Sequence, residues 1–185
     1  MSETIMNRAA NIGGKLVYPM KASRVSTVSL ASRMKYSQPL ISKLRSGKAN
    51  LQYEQVESLL EAVPKQSGHL LIDILNQLSN GLIPPSVDGK YLYLTPSSME
   101  DRVLEEAKQA SQALMNASDE FGRPIKSLND FHDPEEAFNQ LYDLTKYSLA
   151  LEVVIGEHIG WDTPEIQKHC RDREMYLKKH RYQIV

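Results

Sequence analysis

His158, His169, Cys170 and His180 have the chemistry to hold a transition metal, but their spacing argues against it. His158 and His169 lie eleven residues apart, no short pair such as C-x-x-C occurs, and the adjacent His169 and Cys170 project from different faces of any helix. Zinc sites draw on short ligand pairs that the backbone can aim together. Neither a metal nor any other cofactor is expected. The motifs of phosphate loops, G-x-S-x-G hydrolases and H-E-x-x-H metalloproteases are all absent. The carboxylates of the C-terminal half are scattered, as on a solvated helical face, and Asp73 stands alone on a mostly apolar segment where exposure is expected. The sequence reads as that of a protein that binds rather than catalyses.

Charge says what it would bind. The net charge of −1 conceals a strong segregation. Thr4 to Tyr53 holds nine Lys and Arg and no Asp or Glu. Glu54 to Gln167 has twenty acids and seven bases, and Lys168 to Val185 has six bases and two acids. A fifty-residue stretch free of acids, in a chain where 24% of residues are charged, points to a polyanionic partner for the N-terminal part. One cysteine excludes an internal disulfide framework. No run approaches the length of a membrane span, and Met1 to Met6 leads into no apolar segment of signal-peptide type. A soluble protein in the reducing cytoplasm, with no membrane partner, is the expectation.

The elements that would present those bases are short helices. In residues 1–25, Gly13-Gly14 disfavours a long helix and Pro19 interrupts a second. One short or broken helix is expected there, with Ile12, Leu16, Val17 and Met20 available for packing. Ser26 is a plausible N-cap of a helix that turns Leu30, Ala31 and Met34 inward. Lys35-Tyr36-Ser37 forms a turn. Ser37 caps the next helix, Pro39 fits its first turn, and Gly47 ends it in a left-handed conformation. Ile41 and Leu44 point inward, which leaves Gln38, Leu40, Ser42, Lys43 and Arg45 outside. Asn50 is expected to cap a third helix that buries Tyr53, Val56, Leu59, Leu60 and Val63 and stops at Pro64.

This run resembles the lambda-repressor-like helix-turn-helix family, the Xre-type regulators of bacteria and phages. The resemblance rests on Leu30-Ala31, Ser37-Gln38, Ile41-Ser42-Lys43-Leu44, Ser46-Gly47-Lys48 and Leu59-Leu60-Glu61-Ala62-Val63, about forty residues of the chain. Two positions depart from the family pattern. Lys35 stands where the family has glycine in the turn, so its backbone must be strained or slightly different. Arg45 stands where an acid is common; the change makes that end more basic and removes a group that supports packing in the family. The resemblance implies a set of DNA contacts. Gln38 would pair with adenine, Lys43 with guanine or a phosphate, and Pro39 and Leu40 with a thymine methyl. Ser37 and Ser42 fall on the same surface. Thr27, Lys35, Arg45, Lys48 and Asn50 would touch the phosphate backbone.

Beyond Pro64 an amphipathic helix is expected over Ser67 to Ser79, carrying Leu70, Leu71, Ile74, Leu75 and Leu78. A Pro-rich linker follows to Ser97, with a Tyr91-Leu92-Tyr93-Leu94 strip expected to pack. The next helix starts at Thr95-Pro96 or Ser98 with a stripe of Val103, Leu104, Ala107, Ser111, Leu114 and Met115. A longer one, capped by Asp133 before Pro134, runs to about Ile159 with Ala137, Leu141, Leu144, Ser148, Leu151, Ile155 and His158 in its stripe. A basic helix capped near Thr163 ends the chain. The whole is expected to be all-α: a helix-turn-helix domain over 1–64, a bridging helix and linker over 65–98, and a helical hairpin or bundle over 99–185. Two or three such helices bury too little alone, so 99–185 is expected to form a homodimer or higher oligomer. The functional expectation is a sequence-specific DNA-binding transcriptional regulator, a repressor of phage or prophage type. The alternative is an antitoxin or antirepressor that binds a protein through its acidic helical half.

Overall fold

In the computed structural model, residues 6–87, 94–122, 124 and 132–180 are described. Among them the chain is mostly helical: α1 (Val17–Ala22), α2 (Thr27–Arg33), α3 (Gln38–Arg45), α4 (Val56–Ala62), α5 (Gly68–Leu78), α6 (Pro96–Phe121), α7 (His132–His158) and α8 (Thr163–Lys179). The only strands described are β1 (Ala9–Ala10) and β2 (Leu51–Gln52), which pair antiparallel with Ala9 opposite Gln52. No described helix is long and apolar enough to cross a membrane.

Five helices end the same way. After α1, α2, α3, α5 and α7 the chain enters the left-handed region at Arg24, Lys35, Gly47, Asn80 and Gly160, with φ between 51° and 91°. In each case the next amide donates back to a carbonyl five residues earlier, as in Tyr36 N–H to Ala31 O at 2.8 Å and Lys48 N–H to Lys43 O at 2.9 Å. This closure satisfies the carbonyls left free at a helix C-terminus and turns the chain sharply. Short helices can then pack around one centre.

That centre is built from α1 to α5. Leu16, Leu30, Ile41, Leu44, Leu59 and Ile74 are almost fully buried together. The N-terminal arm holds them by backbone contact. Gly13 lies so close to Gly47 that a Cβ on Gly13 would sit 2.4 Å from the Gly47 Cα. The Asn11 amide donates to Gly47 O at 2.9 Å, and Gly14 N–H donates to Arg45 O at 3.0 Å. On its other side the arm meets α5: Asn11 N–H donates to Gln77 Oε1 at 2.7 Å, and Gln77 Nε2 donates to Asn11 O at 2.8 Å.

Several sequence expectations are corrected here. Asn50 caps nothing, because Leu51–Gln52 is taken by the ladder to the arm and a 3₁₀ turn over Tyr53–Gln55 precedes α4. Tyr53 is therefore turned outward, 61% exposed. Val17 and Leu75 are exposed on helices whose buried faces are filled by neighbours. Asp73 is not exposed: it accepts from Ser86 N–H at 3.0 Å and pairs with Lys15 at 3.0 Å, tying the arm, α5 and the following loop together. Of the Tyr91–Leu94 strip only Leu94 lies within the described residues; it is half-buried against Val87, Met99 and Val154.

α6 and α7 form an antiparallel hairpin, with Met99 beside Ala150 and Val154 at one end and Ala113 and Ala117 beside Ala137 at the other. Beyond Met99 and Glu106 the seam on α6 is Ala110, Ala113 and Ala117 rather than Leu104, Leu114 and Met115. Small residues let two helices approach closely. Leu104, Ser111, Leu114 and Met115 are thereby left exposed on α6, as are Leu141, Ile155 and His158 on α7, contrary to the stripes read from spacing. Glu106, 2% exposed, is held in the hairpin by Arg102 at 2.7 Å, whose guanidinium covers the Tyr147 ring. The hairpin docks on the N-terminal core through Gly68 against Val153, the buried Ser67–Thr163 hydroxyl pair at 2.9 Å, and Thr163 N–H to Pro64 O at 3.0 Å.

Gly13→Ala is expected to lower unfolding free energy by about 2–3 kcal/mol, because the obstructing atoms are backbone and cannot rotate away. Urea unfolding measures it; an effect near zero would mean that the arm does not clamp α3. A second expectation concerns pH. His69, half-buried on α5, has neither ring nitrogen hydrogen-bonded. Burial pushes its pKa below 6.5, against the opposing pull of Asp73. The unfolded chain then binds a proton that the fold resists, so stability falls as pH drops below 6.5 toward the lowered value. Thermal midpoints of the native protein should fall more steeply than those of His69→Gln across that window, and parallel curves would contradict this.

Candidate nucleic-acid interface

α2 and α3 are joined by a tight turn, and each begins on a serine cap. Ser26 Oγ accepts from Ser29 N–H at 3.1 Å, and Ser37 Oγ accepts from Leu40 N–H at 3.4 Å. Pro39 occupies the first turn of α3, where the missing amide proton costs no helical bond. Lys35 adopts φ 55° in the turn, the left-handed strain that a side chain in a glycine position entails. The Tyr36 ring packs on the core beside it; burial, then the Glu54 carboxylate, pushes its phenol pKa up and keeps it neutral.

Ile41 and Leu44 anchor α3 in the core. Gln38, Pro39, Ser42 and Lys43 are exposed and share one outward face at about 100° per residue. Leu40 is half-buried and lies toward the Leu44 side, at the edge of that face. Lys35 precedes the face, and Lys48 and Asn50 follow it; all three are exposed. Ser37 is exposed, with its hydroxyl committed to the cap. Arg45 turns away from this face: its Nη1 donates to Thr27 Oγ1 at 2.7 Å, across the start of α2. Two side chains read separately as phosphate contacts are thus bonded to each other. Arg45 restores packing between α2 and α3 by its own hydrogen bond. Its Nε is buried without a partner.

Beside that pair lies an open hollow of about 370 Å³, lined by Lys21, Ser26, Thr27 and Arg45 with Val17 and Met20. Lys21 was missed as a site residue by sequence reasoning; the signal was its place in the acid-free stretch.

The positive charge here is little neutralised from within. Lys15 pairs with Asp73, and Arg33 donates to Ala62 O at 3.0 Å. Lys35, Lys43 and Lys48 have no acidic partner within 4 Å among the described residues. Three exposed ammonium groups around one helix favour an anion at that surface. The candidate metal ligands do not converge: His169 is stacked on Trp161 with ring centroids 3.7 Å apart, and His180 on Tyr176 at 4.0 Å.

Comparison with protein-family models, with curated proteins and with solved structures finds no match to this chain.

Lys35→Gly should raise stability by about 0.5–1 kcal/mol, the relief of left-handed strain outweighing the added freedom of the unfolded chain. Lys35→Val should lower it by about 1–2 kcal/mol, since a β-branched residue tolerates that backbone least. Equal stability of the two variants would contradict the turn described here.

Proposed function

We propose that this chain is a sequence-specific DNA-binding transcriptional regulator, a repressor of bacterial or phage type, that uses α2 and α3 as a helix-turn-helix. The observation that carries the reading is the outward face of α3: an amide, an amine and apolar carbon in helical register, flanked by lysines that have no acidic partner within 4 Å among the described residues. α3 enters the major groove. Gln38 and Lys43 reach base edges, where Gln38 matches adenine and Lys43 guanine. Pro39 and Ser42 lie between them, with Leu40 reaching a thymine methyl from the rim. Lys35, Lys48 and Asn50 touch phosphates on either side. Lys21 and Arg45 line the hollow at the start of α2, where a further phosphate fits; Thr27 orients Arg45 rather than binding directly. No group is transferred and no cofactor takes part. Regulation follows from occupancy of an operator.

One α3 reads only a few base pairs, and specific binding needs more. A homodimer or higher oligomer through residues 99–185 supplies a second α3. Two half-sites one helical turn apart, about 10 base pairs centre to centre, are then read together. The acidic hairpin repels the backbone and keeps that end of the molecule off the duplex. The setting proposed is the cytoplasm.

Selection from a randomised duplex library tests the reading. It should return a two-fold symmetric sequence whose half-sites have that spacing. Lys43→Ala should then cost about 1–3 kcal/mol on the selected site and relax preference at one base pair. An equal loss on every sequence would make Lys43 a phosphate contact; no enriched sequence would refute the proposal.

A further inference from the structure

Among the described residues, α6 and α7 leave one long face without cover. On α6 the seam of Ala110, Ala113 and Ala117 is flanked on one side by Leu104, Ala107, Ser111 and Met115. Leu104 is 62% exposed and Met115 59%. On α7, Phe138, 65% exposed, and Leu141 flank the seam through Ala137. With about 100° per residue, each flank lies clockwise of its seam when viewed from that helix's N-terminus. For an antiparallel pair this puts both flanks on the same side of the hairpin. Asp101 and Glu105, with one base, Lys108, between them and the flank, border the face along α6, and Glu135 and Glu152 border it along α7, all exposed. The two helices together hold twelve acids and three bases.

α8 has the opposite character. Its capping box, formed by Asp162 and Glu165, its buried Thr163, Ile166 against Gly156 and the stack of His169 on Trp161 fasten only its first two turns. From Lys168 to His180 every residue is exposed except the half-buried Leu177. A helix of this length gains its stability from packing an apolar strip rather than from propensity. Lys168, Arg171 and Lys179 surround the exposed Met175 on one face, which a single acid, Asp172, shares, with Lys178 beside them in an ion pair to Glu174. An apolar centre with a basic rim matches an apolar centre with an acidic rim.

We propose that α8 of one copy lies across the α6/α7 face of a second copy, and reciprocally, so that the exchanged helices hold the dimer. The exchange deepens the oligomer part of the function proposed above and does not depend on DNA. Leu104, Met115, Phe138 and Leu141 receive Met175, while Lys168, Arg171 and Lys179 meet the acids along the rim.

The test is solution mass of the full chain, by sedimentation velocity without DNA. One double variant disables the face, Leu104→Asp with Phe138→Asp; another disables the helix, Arg171→Glu with Met175→Glu. All four positions are exposed, so unchanged far-ultraviolet circular dichroism is expected. If the face variant loses helix signal, Leu104→Gln with Phe138→Gln takes its place. The native chain should be dimeric, and each variant alone should be monomeric, its dimer dissociation constant raised about thirtyfold or more. An equimolar mixture should dimerise more tightly than either variant alone, through the one contact in which helix and face are both intact. A helix variant that stays dimeric would mean that hairpin faces pair directly, and would overturn the exchange. A monomeric native chain, or a mixture that dimerises no more tightly than either variant alone, would overturn it too. Duplex binding measured separately on the native chain keeps the two readings apart: exchange without DNA binding refutes only the DNA reading.

Discussion

The contact between Gly13 and Gly47 is the constraint on which the rest of the molecule depends. It is a backbone-to-backbone approach with no room for a methyl group. It brings the N-terminal arm over the end of α3, where Asn11 and Gly14 satisfy or cap the last carbonyls. Buried backbone groups need partners, so an arm that supplies them also fixes where α3 ends. The same arm pairs with β2, bonds to Gln77 of α5 and sends Lys15 to Asp73. α5 in turn leads through Gly68 and Ser67 to α7 and α8. A continuous path of contacts therefore runs from the end of α3 to the hairpin. A helix that is to enter a groove in fixed register needs such a support.

Much of this was legible in the sequence wherever the physics is local. Ser26, Ser37 and Thr95 cap the helices they precede, Pro39 and Pro96 sit in first turns, and Gly47 takes the left-handed closure. These signals act over three or four residues and need no knowledge of the fold. The left-handed backbone of Lys35 was also legible, because the resemblance puts a glycine at that place in the turn. Of the outward residues, Gln38, Pro39, Ser42 and Lys43 follow from the positions of Ile41 and Leu44.

What depends on distant partners was not legible. Gly13-Gly14 reads as a helix breaker; its use as a close approach needs Gly47, thirty-four residues away. Asp73 reads as a lone surface acid because its partners are not local: Lys15 comes from the N-terminal arm and the Ser86 amide from the loop after α5. Tyr53 follows an apolar period that the β1–β2 ladder interrupts. The seam of α6 inverts the usual ranking: alanines are buried and Leu104 and Met115 are not, since closeness of packing selects small residues over hydrophobic ones. Arg45 reads as a free cation; Thr27, eighteen residues away, holds it.

The charge segregation of the sequence acquires a spatial meaning in this arrangement. The basic, acid-free part surrounds α3, while α6 and α7 carry the acids and α8 returns to positive charge at the far end of the chain. One surface suits a polyanion, and the other two suit each other. The central claim is that α3 and its flanking turns form the nucleic-acid surface. Amide resonances of the isotopically labelled protein, followed during titration with a short DNA duplex, test it residue by residue. The account predicts shifts at the start of α2 and from Lys35 to Asn50, with α6 and α7 unmoved. Shifts centred on the hairpin, or none at all, would contradict it.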